Sequence, residues 1–134
     1  MKELQRFREL YWPAFKVTTQ LKTHRLAASD LRADLEFITD ILAGPLFSIF
    51  ETGDCHYVFD DKARFPTIHD ARTFREWCLE LVEGYRRIVR TWEPANNLEQ
   101  EDIEMLLAAA SLLEELSHLA YKILLPKERS GARG

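Results

Sequence analysis

Residues 97–125 read NLEQEDIEMLLAAASLLEELSHLAYKILL, and no Pro or Gly interrupts them. Met105, Ala109, Leu112, Leu116, Leu119 and Ile123 recur at alternating spacings of four and three, the signature of a buried helical face. At about 100° per residue, Leu106, Leu113, Ala120 and Leu124 widen that face to roughly half the circumference. So wide an apolar stripe needs cover on two sides. Other helices must wrap it, and the expected fold is all-α, a bundle of four to five helices.

The rest of the chain supplies them. Phe7, Leu10, Ala14, Val17, Leu21, His24 and Ala28 follow one another by three and four, an a/d-like seam that predicts a helix over about 2–28. Pro13 lies inside it, which predicts a kink or a fresh helix start there. Ser29 or Asp30 can cap a second helix over 30–43, with Leu31, Leu35, Ile38, Ile41 and Leu42 facing inward. Gly44-Pro45 breaks it, and Leu46, Phe47, Ile49 and Phe50 predict a short helix over 45–52. Residues 53–66 have no regular pattern. Thr67 with Asp70 resembles a capping box opening a helix over 67–92, with Phe74, Trp77, Cys78, Leu81, Val82, Tyr85, Ile88 and Val89 along its apolar stripe. Asn97 with Gln100 is a second such box and opens the last helix, over 97–125. Pro126 is then expected to end it. Residues 1–126 read as a single domain and 127–134 as a flexible basic tail.

With 134 residues the chain is long enough for one core without staples, and 46% hydrophobic with 30% charged residues is ordinary for a globular protein. The net charge of −4 points away from nucleic acid and anionic membrane as partners. Two cysteines without a CxxC make no disulfide framework. The amino terminus lacks a signal-peptide core and no apolar run approaches the roughly 20 residues of a membrane span. A cytoplasmic protein with reduced thiols is expected.

Charge alternates in sign along the chain. Residues 1–29 carry net +4, 30–61 carry −7, 62–92 carry +3, 93–121 carry −7 and 122–134 carry +3. In an up-down bundle this sets helices of opposite sign side by side and like signs on the diagonals, which disfavours wrong adjacency. It also breaks up any phosphate-binding stripe built from Arg72, Arg75, Arg86, Arg87 and Arg90.

Motifs that carry chemistry are sparse. Glu115 and His118 form one ExxH, whereas di-metal bundles need two with further inward carboxylates, and these two fall on the polar side of the wheel. Cys55, His56 and His69, with Asp54, Asp60, Asp61 and Asp70, include the zinc-ligand types but none of the usual finger or ribbon spacings. Arg64 and His69 have an R-x4-H spacing that resembles the motif of the HEPN ribonucleases, also helical bundles. The resemblance spans six residues and implies a ribonuclease pair near a dimer cleft. Phe65 and Pro66 stand where that family usually has a polar residue after the Arg, so the spacing does not assign the family.

Two polar residues fall on inward-facing positions. His24 is on the first seam, and Asp34 lies on the wheel between Ile41 and Ile38. Buried together they would have to pair, because an unpartnered buried polar group costs about 1–3 kcal/mol. Aromatic residues are also plentiful around the break after the second helix: Tyr11, Trp12, Phe15, Phe47, Phe50, Tyr57, Phe59 and Phe65. Aromatic side chains are favoured at interfaces. The expected function is therefore a non-catalytic interaction module, such as an adaptor, a small subunit, an inhibitor or an immunity-type factor. Its surface is expected at Phe47, Phe50, Tyr57, Phe59 and Phe65, and its partner is another protein or a second copy of itself. No cofactor is expected. A metal-binding or hydrolytic bundle using residues 54–70 is the alternative, and a nucleic-acid-binding helical protein the second.

Overall fold

In the computed structural model, residues 2–23, 32–54, 70–90 and 100–129 are described. They form five helices: α1 (Lys2–Thr23), α2 (Arg32–Ala43), α3 (Pro45–Thr52), α4 (Ala71–Arg90) and α5 (Gln100–Arg129). Chain direction reverses between α1 and the α2/α3 pair, again at α4 and again at α5. Tyr11 donates to the Leu42 carbonyl, while Arg8, one turn earlier, reaches the carbonyls of Phe50 and Glu51, so α2 and α3 run antiparallel to α1. Phe37 meets Trp77 at a 4.8 Å ring separation, and Asp34 acts on Tyr85, which reverses α4 against α2. Arg86 pairs with Glu114 and Arg75 lies over Tyr121, which reverses α5 against α4. The result is an up-down-up-down helical bundle in which α2 and α3 share one side, bent at Gly44.

The opening stretch is the hub. α5 packs most extensively on α4 and next on α1. Leu106, Ala109, Leu113, Leu116, Leu119, Ala120, Ile123 and Leu124 are all buried on it, while Met105 and Leu112 are partly buried at the edge. Opposite them lie Phe7, Leu10, Ala14, Val17 and Leu21 from α1, Leu35, Ile38, Ile41 and Leu42 from α2, and Phe74, Cys78, Leu81, Val82 and Tyr85 from α4. Both periodicities read from the sequence are thus those of the core. Each Leu, Ile, Val or Phe among them contributes about 1.5–3 kcal/mol when removed from water.

Helix boundaries depart from the expected ones for local reasons. α1 is one helix through Pro13, whose missing N–H falls on an exposed face where water can satisfy the freed carbonyl. α4 is described from Ala71, and Asp70 caps it. The Thr73 amide donates to Asp70 Oδ1 at 2.9 Å, and the Asp70 amide donates to Thr73 Oγ1 at 3.1 Å. This is a reciprocal capping box with Thr at its third position. Asp70→Ala should lower stability by about 1 kcal/mol, read from the denaturant midpoint. α5 starts at Gln100 and continues past Leu125 through Pro126 to Arg129. The hydrogen bond lost to Pro126 belongs to the Lys122 carbonyl, on an exposed residue. Residues 127–129 are therefore helix rather than tail. The expected extensions over 24–28, 30–31, 67–69, 91–92 and 97–99 lie outside the described residues.

At the end of α3, Gly53 takes the left-handed conformation, φ 78°, and its amide closes the helix onto the Ile49 carbonyl at 2.8 Å. A Cβ there would also meet Leu4 Cδ2 at 3.1 Å. Gly53→Ala is expected to lower stability by about 1–2 kcal/mol, from the left-handed backbone alone.

Two interhelical ion pairs follow the alternating charge. Arg6 meets Glu115 at 3.0 Å across α1 and α5, and Arg86 meets Glu114 at 3.2 Å across α4 and α5. Exposed pairs of this kind contribute about 0–1 kcal/mol each. Their place between the basic α1 and α4 and the acidic front of α5 matches adjacency selected by sign.

Candidate interaction surface

On α1, Arg8, Trp12, Phe15 and Thr19 follow at spacings of four, three and four, which puts them on one face beside the buried seam. The short helix α3 lies along that face. Arg8 holds it there, its Nε donating to the Phe50 carbonyl at 2.7 Å and a terminal nitrogen donating to the Glu51 carbonyl at 3.2 Å. A cation on these last carbonyls caps the helix and complements its dipole.

The rings of α1 and α3 then cluster. Trp12 stands edge-on to Tyr11 at 5.0 Å, to Phe50 at 5.6 Å and to Phe15 at 5.8 Å, and lies 6.4 Å from Phe47. Phe47 and Phe50 stack on each other at 5.9 Å, and Tyr11 closes the base 5.0 Å from Phe50. Only Tyr11 is fully buried; Phe15, Phe47 and Phe50 are half-buried, and Trp12 is 52% exposed. A groove of about 570 Å³ adjoins the cluster, lined by Ala43, Gly44, Phe47, Ser48, Glu51, Thr52 and Asp54. Phe47 belongs to both. An indole at the crest of three half-buried rings, beside a groove, presents a large flat apolar contact at low conformational cost.

Of the surface expected from sequence, Phe47 and Phe50 lie here, while Tyr57, Phe59 and Phe65 lie outside the described residues. Trp12 and Phe15 join them, although their sequence neighbours are seam residues. Nothing in the α1 pattern alone marks Trp12 as exposed; the signal was the surplus of aromatic residues. Cys55, His56, Arg64 and His69 also lie outside the described residues, as does His24. Asp34 is exposed, not buried: it sits in the first turn of α2, where a solvated carboxylate suits the helix N-terminus. Glu115 pairs with Arg6, and His118 is exposed. Among the described residues no three His, Cys, Asp or Glu side chains group as a metal site would require. None of the described helices is long and apolar enough to cross a membrane.

The helix α4 arginines are engaged within the fold. Arg72 pairs with Glu76, Arg86 with Glu114 and Arg90 with Glu83, while Arg75 lies 3.8 Å from the Tyr121 ring centre.

Two buried tyrosines differ in what they offer their hydroxyls. That of Tyr11 donates to the Leu42 carbonyl, at the bend between α2 and α3. That of Tyr85 has no hydrogen-bond partner among the described residues. Tyr11→Phe should lower stability by about 1–2 kcal/mol, whereas Tyr85→Phe should leave it unchanged or raise it by up to about 2 kcal/mol, as an orphaned polar group is removed. Equal losses in urea melts of the two variants would contradict this. Burial pushes the Tyr11 hydroxyl up to about 12, and burial with the nearby Asp34 charge pushes that of Tyr85 up further. An unfolded tyrosine ionises near pH 10. Above that pH the unfolded chain has lost protons that the folded chain keeps, so the contribution of these two tyrosines should be constant below about pH 10 and fall above it. The Cys78 thiol is buried on α4 and burial pushes it up as well, so thiol reagents should reach it only on unfolding.

No protein-family model, curated protein or solved structure matches this chain.

Proposed function

We propose that the protein is a helical protein–protein interaction module that docks its partner on the α1/α3 aromatic face. The observation that carries this reading is Trp12, 52% exposed at the centre of a five-ring cluster and next to a groove. A large exposed apolar side chain set among half-buried rings in this way is characteristic of binding surfaces. The remaining large hydrophobic residue that is exposed among those described, Leu107, stands alone on the outer face of α5 and has no such company. A cytoplasmic setting suits the reading, since Cys78 is a free thiol in the core. The pairing of the α4 arginines within the fold supports a protein partner over nucleic acid.

The test is affinity capture from the native cell with three forms of the full chain: wild type, Trp12→Ala and Leu107→Ala. A partner retained by wild type and Leu107→Ala but lost by Trp12→Ala is expected. A partner set indifferent to Trp12→Ala would refute the assignment of the face.

A further inference from the structure

We draw no further inference here: the strongest candidate, the half-buried ring cluster on the α1/α3 face with the groove beside Phe47, is flanked by the cations Arg8 and Lys16 as well as by the carboxylate of Glu51, so that nothing in the structure shows what covers it.

Discussion

Leu116→Ala should lower the unfolding free energy by about 2–5 kcal/mol, whereas Leu107→Ala should change it by no more than about 0.5 kcal/mol. The two leucines are nine positions apart on one helix, and both substitutions remove the same atoms. Leu116 is fully buried, with the α1 and α4 core packed around α5, so truncation leaves a cavity that rigid helices refill only in part. Leu107 is 43% exposed on the opposite face. For a domain of this size the first loss corresponds to a fall in melting temperature of roughly 10–20 °C. Urea titration should give a lower midpoint for Leu116→Ala at an unchanged slope. If Leu107→Ala cost as much, the outer face of α5 would have to be covered in solution.

Trp12→Ala is expected to weaken partner binding by 2 kcal/mol or more, about 30-fold, while costing the fold only about 1–2 kcal/mol. The exposed half of the indole presents roughly 100 Å² to water, and its burial beneath a partner is worth about 2.5 kcal/mol. The buried half rests on Tyr11, Phe15 and Phe50, so those rings lose contact area when it goes but open no enclosed cavity. The separation of effects is the diagnostic feature. Isothermal titration with the captured partner gives the first quantity and a urea melt the second. A variant that binds normally yet unfolds more readily would make Trp12 a packing residue.

How much of this was legible in the sequence depends on the range of each interaction. The seams of α1 and α5 were readable because a 3.6-residue period records which face is buried without saying against what. The sign alternation foretold that α5 would sit between basic neighbours, but not that Arg6 would find Glu115 across 109 positions. Asp70 is a competent cap by residue type, but that the Thr73 amide is the one it accepts from is set by where the first open amides of α4 fall. Pro126 reads as a stop because its ring removes a hydrogen bond, yet the carbonyl of the exposed Lys122 tolerates the loss. The candidate surface was half legible. Phe47 and Phe50 stood out on a short, broken helix, whereas the exposure of Trp12 depends on where α3 comes to rest, and that is fixed by Arg8 reaching carbonyls more than 40 positions away.

Site-specific photo-crosslinking in the native cell tests the docking face most directly. A photoreactive phenylalanine analogue is placed at Phe47, at Trp12 and, as a control on the outer face of α5, at Ser111, which is exposed. Discrete adducts from the positions of Phe47 and Trp12, with none from Ser111, are expected. Adducts from Ser111 alone, or from none of the three, would contradict the assignment of the α1/α3 face.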